Sequence, residues 1–159
     1  MKLLFSVFFS FVFLTCFGQL QPLTGQGVTL NTQSGDIHGK LLLPPGMKSF
    51  PVVLLIAGSG PTDMDGNSAV GQMTNNSLRY LAEDLAKQGI ASLRFDKRGI
   101  ASSASAGKRE ADLRFEDYVN DVKGWIDYLK KDSRFTGITV IGHSEGSLIG
   151  CWHAAIIRK

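Results

Sequence analysis

The chain predicts an α/β fold with a largely parallel sheet, and three observations carry that prediction. Val52–Ala57 (VVLLIA) is a continuous apolar run, as expected of a strand buried on both faces of a parallel sheet. Phe115–Lys131 places Phe115, Tyr118, Val119, Val122, Ile126 and Leu129 on one face at helical spacing, with Gly124 a slight weakness. The β-branched run Ile138–Ile141 meets Gly142-His143-Ser144-Glu145-Gly146, and an apolar helical pattern follows at once. Strands alternating with helices imply right-handed β-α-β units.

At 159 residues and 43% hydrophobic content, the chain has the makings of one globular domain. The formal charge is only +3, and Lys and Arg are scattered without a basic stripe interleaved with aromatics, which argues against nucleic acid as a partner. Lys2, the apolar run Leu3–Leu14 and the stretch Thr15-Cys16-Phe17-Gly18 read as a secretory signal peptide over residues 1–18. The run is too short for a membrane span. A lipid anchor at Cys16 is the alternative, with Thr15 a poor residue before a lipid-bearing cysteine. Loss of Lys2 takes 17 basic residues to 16 against 14 acidic, a mature charge of +2, and leaves Cys151 as the lone thiol. Export without disulfides suits a periplasmic or extracellular protein that relies on its core.

Residues 19–27 are rich in Gln, Gly, Thr and Pro and read as a linker, which leaves residues 28–159 for the domain. Val28–Asn31 and Ile37–Leu43 are expected to pair around Ser34-Gly35-Asp36, and Pro44-Pro45-Gly46 ends the second strand. The loop Gly58-Ser59-Gly60-Pro61-Thr62-Asp63-Met64-Asp65-Gly66-Asn67 follows the buried strand, where open α/β sheets keep their ligand sites. Asn75–Gln88 reads as a helix capped by Asn76 or Ser77, with an apolar stripe of Leu78, Leu81, Leu85 and Ala86 and a stop at Gly89. Ile90–Phe95 is the next strand, followed by Asp96-Lys97-Arg98-Gly99 and a small-residue loop to Gly107. Tyr80, Trp125 and Tyr128 are expected to be packing residues. No repeat or low-complexity block appears.

Gly142-x-Ser144-x-Gly146 between strand and helix is the setting that a nucleophile elbow requires. A serine becomes a useful nucleophile when its hydroxyl stands clear of the sheet and meets a base. The sharp turn that lifts Ser144 brings helix and strand together, so positions 142 and 146 have no room for side chains. The Glu145 amide, at the helix start, can donate to a developing oxyanion.

These pieces, in this order, resemble the N-terminal half of the α/β-hydrolase superfamily, and in particular exported bacterial carboxylesterases and the related serine-aminopeptidase-like group. Three matches carry the resemblance: the Gly58–Asn67 loop after the third strand, Asp96-x-Arg98-Gly99 after the fourth, and Gly142-His143-Ser144-x-Gly146 after the fifth. The resemblance implies an acyl-enzyme at Ser144, with the oxyanion bound by the amides of Glu145 and of Ser59 or Gly60; Pro61 has no N–H to give. It implies a small-molecule ester or amide substrate and no cofactor. Asp63-x-Asp65-x-Asn67 opens like a calcium loop, but Ser68 and Thr74 stand where Gly and Glu are needed, so no metal is expected. Asp96 and Arg98 are read as tying the loop after the fourth strand to its neighbours.

In this fold the triad acid and His follow the nucleophile in chain order. Fifteen residues follow Ser144, and they hold only Glu145, in the turn itself, and His153. On a helix His153 lies about 13 Å along the axis, against the roughly 3 Å that direct proton transfer needs. His143, next to the nucleophile, is expected to point elsewhere, and His38 lies in an early strand. The triad acid and base are thus read as absent, and the chain as the front half of a hydrolase with Ile138–Ile141 at an apolar edge. The alternatives are a serine peptidase of the same superfamily and a non-catalytic remnant.

Overall fold

A computed structural model describes residue 23, residues 25–70 and residues 74–157, with side chains to His153. The signal-peptide reading, the Cys16 anchor and most of the expected linker lie outside the described residues. The core is one mixed five-stranded sheet in the order β1-β2-β4-β3-β5, where β1 is Gly25–Thr32, β2 Gly35–Leu42, β3 Phe50–Ile56, β4 Ala91–Phe95 and β5 Phe135–Gly142. β4, β3 and β5 run parallel, and β1 and β2 join as an antiparallel hairpin. Among the described residues the α-helices are α1 (Ser77–Lys87), α2 (Phe115–Leu129) and α3 (Glu145–Ile157).

Alternation along β3 builds the two faces. Val52, Leu54 and Ile56 join Leu93, Trp125, Leu129 and Ile149 beneath α2 and α3. Val53 and Leu55 point the other way, onto Ala82 and Ala86 of α1. A strand apolar on both sides is one sandwiched between helices, and each such fully buried side chain contributes about 1.5–3 kcal/mol.

The elements differ from the sequence reading at several points, and β5 begins at Phe135, three residues ahead of the expected Ile138. β1 starts at Gly25, so residues 25–27 of the expected linker are strand; Gly25, Gln26 and Gly27 pair with Leu42, Leu41 and Lys40 through backbone groups, which need no side chain. Neither Asn76 nor Ser77 caps α1 with its side chain. Asn76 is held by Asn67 instead; the Ser77 amide donates to Asn75 Oδ1 at 3.0 Å, and the next two amides of α1, on Leu78 and Arg79, donate to the Asp65 carbonyl at 3.1 and 3.3 Å. The small-residue loop to Gly107 contains a 3-10 turn, Ala101–Ala106, and a second, Glu110–Asp112, follows it. Tyr80 is 55% exposed on the outer side of α1, whereas Trp125 is fully buried. Leu81 is also exposed, because Ala82 and Ala86 are small enough to seat α1 on the sheet without it.

Candidate active site

β5 ends at Gly142 and α3 begins at Glu145, so only His143 and Ser144 make the turn. The His143 amide donates to the Ile56 carbonyl at 3.0 Å, tying the turn to the end of β3, and the Gly146 and Ser147 amides close it onto the carbonyls of His143 and Ser144, each at 2.9 Å. Ser144 sits at φ +52°, in the left-handed region. For an L-residue that costs about 1–2 kcal/mol and persists only where the surroundings over-determine it. They do so here. A Cβ on Gly142 would come within 2.2 Å of the Gly146 carbonyl group, and one on Gly146 within 2.6 Å of the Ile56 and Ala57 oxygens.

Ser144 is exposed at a cleft of about 610 Å³, whose walls include Ser59 and Thr62 from the loop after β3, Leu78 and Leu81 from α1, and Ile141 and His143. Gly58 crosses close to the turn: a Cβ there would lie 3.4 Å from Ser144 Cβ and 2.8 Å from His143 Nδ1. His143 thus lines the cleft with its Nδ1 toward Gly58, and no hydrogen bond joins its imidazole to Ser144. Among the described residues, the amides of Ser59, Gly60 and Glu145 donate to no backbone carbonyl. Ser59 lines the cleft itself, whereas Gly60 and Glu145 line a neighbouring cavity of about 300 Å³.

The other histidines lie elsewhere. His153 is 8% exposed within α3, and burial, aided by nearby Lys123, pushes its imidazole below the usual range. His38, on β2, meets Thr29 Oγ1 at 3.2 Å. Among the described residues no carboxylate is hydrogen-bonded to a histidine.

The loop after β4 braces the cleft from behind. Asp96 accepts from the Met64 amide at 2.7 Å and the Ser102 amide at 3.0 Å, and burial raises its carboxyl above the ordinary range against the pull of those two amides. Arg98 grips Asp121 of α2, with Nε donating at 2.9 Å, and reaches Ser34 of the β1–β2 turn. In the 63–67 loop, the Asp63 carboxylate takes the amides of Asp65 and Asn67, and Asp65 accepts from Arg94.

With this geometry, similarity to known proteins becomes informative. Residues 72–157 match the family described as serine aminopeptidase, S33. The chain belongs to that family. Esterase EstD of Thermotoga maritima is 30% identical over 113 residues, which is 71% of this chain and 26% of that protein. The fold is that of the α/β hydrolases. Est1E of Butyrivibrio proteoclasticus, solved with ferulic acid bound, superposes with a TM-score of 0.64 at 22% identity, over 82% of this chain and 48% of that one. XC6422 of Xanthomonas campestris, described as an α/β serine hydrolase without lid, gives 0.63 at 21% identity, over 87% and 60%. The chain thus spans about a quarter of EstD and about half of Est1E.

Within this S33-family chain, one residue at the site escaped the sequence reading. Lys97 is almost fully buried, with Nζ donating to the Gly58 carbonyl at 3.2 Å and to Glu145 Oε2 at 2.8 Å, 4.6 Å above the Tyr118 ring. The available signal was its place between Asp96 and Arg98, the pair already read as structural.

Proposed function

We propose that this chain carries the nucleophile-bearing part of an exported serine hydrolase that cleaves carboxylic esters through an acyl-enzyme at Ser144. The observation that carries the reading is the Ser144 hydroxyl, held exposed by a left-handed backbone at the mouth of a cleft walled by the Gly58–Ser59 loop. In the reaction Ser144 Oγ attacks the ester carbonyl carbon and gives its proton to a histidine supplied from outside residues 1–159, oriented by an acid from the same source. The carbonyl oxygen takes the electron pair and is held by the amides of Glu145 and of Ser59 or Gly60. Collapse expels the alcohol with that proton, and water then releases the acid. No cofactor enters this chemistry. The leader at residues 1–18 supports export, with Cys16 as the lipid-anchor alternative.

The test joins the chain to a complementing C-terminal half and follows p-nitrophenyl acetate hydrolysis. Ser144→Ala is expected to lower kcat/KM by about 10³-fold or more; unchanged turnover would refute the assignment. Membership of the serine aminopeptidase family favours a second reading, cleavage of amino-terminal peptide bonds. Aminoacyl p-nitroanilides turned over faster than acyl esters would establish it. Robust Ser144-dependent hydrolysis by residues 19–159 alone would exclude the third reading, a non-catalytic remnant.

A further inference from the structure

We infer that Lys97 orients both amides of the oxyanion site, so that one buried ammonium sets the donor geometry on either side of Ser144. The inference rests on the reading of Ser144 as nucleophile. Lys97 follows β4, Gly58 follows β3 and Glu145 follows β5, so this side chain bridges the carboxyl ends of three adjacent strands. The Gly58 carbonyl and the Ser59 N–H belong to one planar trans peptide and point in opposite directions. Holding that carbonyl on Lys97 therefore aims the Ser59 amide away from Lys97. Lys97 lines the neighbouring cavity with Gly60 and Glu145, while Ser59 and Ser144 line the cleft. Of the two candidate loop amides, it is therefore Ser59 rather than Gly60 whose direction Lys97 sets.

The other contact acts on Glu145. Its carboxylate is the first-turn acid of α3, and Lys97 anchors it at 2.8 Å, fixing the residue whose own amide is the first donor. The ion pair also neutralises a negative charge one residue from the position where the oxyanion forms. Glu145 is 29% exposed and so partly screened by solvent, but an uncompensated carboxylate there would still oppose that charge development. Lys97 does not touch the reacting atoms; it is a positioning residue.

Two variants test it. Lys97→Met keeps the apolar stem over Tyr118 and removes the ammonium, and Lys97→Arg restores the charge and the donors. In hydrogen-exchange mass spectrometry on the full chain, Lys97→Met is expected to speed exchange about ten-fold in peptides covering 59–63 and 144–147, whose Thr62, Asp63, Gly146 and Ser147 amides are hydrogen-bonded, leaving the β1–β2 hairpin unchanged, with Lys97→Arg close to wild type. Unaltered exchange in both segments overturns the inference. In ester hydrolysis by the complemented protein, Lys97→Met is expected to lower kcat about 10–100-fold with KM within about two-fold, and Lys97→Arg to recover most of the loss. An unchanged kcat, or a loss confined to KM, overturns it as well. If turnover survives Ser144→Ala, the hydrolase reading fails, and the exchange comparison still decides whether Lys97 holds the two loops.

Discussion

At Gly146 a single methyl group sets two effects against each other. Alanine favours a helix over glycine by about 1 kcal/mol, so Gly146→Ala should stabilise α3 if space allowed. The added Cβ would sit 2.6 Å from two carbonyl oxygens of the β3 end, which are backbone and cannot swing aside. Sterics win, and the substitution is expected to cost about 2–3 kcal/mol in urea unfolding. Gly27→Ala, with nothing within 4 Å, is the control and should change stability by less than about 0.5 kcal/mol. If Gly146→Ala were stabilising, α3 would not press on β3 as described, and the strained backbone at Ser144 would lose its support.

The loop after β4 owes its form to charges buried between elements. Arg98 and Asp121 are 5% and 4% exposed, joined at Nε and Nη2, with Arg98 also bound to the Ala106 carbonyl. Removing one partner strands the other, so Asp121→Ala is expected to cost about 3–5 kcal/mol, whereas Arg98→Met with Asp121→Leu should recover most of it. Equal losses in the single and double variants, read from urea midpoints at constant m, would contradict a paired role. Asp96 makes a test by pH. Burial raises its carboxyl above 3.8, so the folded protein holds that proton more tightly than the unfolded chain. This site therefore favours folding at low pH, and its contribution is lost as pH rises through the folded-state value. Asp96→Asn should lose stability more steeply than wild type as pH falls from neutral toward the ordinary aspartate value; a parallel profile would remove burial as the dominant influence.

These features mark where sequence reading stops. The strands and helices were legible because each carries its own local period, as VVLLIA and the Val119–Val122–Ile126–Leu129 stripe do. The crowding at Gly142 and Gly146 is legible for the same reason, since strand, turn and helix are contiguous. Lys97 with Glu145 and Arg98 with Asp121 meet across 48 and 23 residues, and no spacing rule announces such pairs. The missing cap on α1 is a competition that sequence could not settle: Asn67 takes Asn76 nine residues away, leaving the helix amides to the Asp65 carbonyl.

For the molecule as a whole, the parallel β4-β3-β5 core gathers three loops at one end of the sheet, and all three meet at Lys97. Among the described residues β5 pairs only with β3, and Ile141, Leu148 and Trp152 stand 40%, 57% and 52% exposed near it. An edge of that kind predicts concentration-dependent association of the 159-residue chain by light scattering, reduced by Thr139→Lys, which places a charge on the exposed strand. The central claim concerns Ser144, just past the carboxyl end of β5, and a crystal structure of the complemented protein after reaction with diethyl p-nitrophenyl phosphate tests it most directly. The account predicts phosphorus bonded to Ser144 Oγ, with the phosphoryl oxygen about 2.7–3.1 Å from the amides of Ser59 and Glu145. An adduct on another residue, or a phosphoryl oxygen remote from both amides, would contradict it.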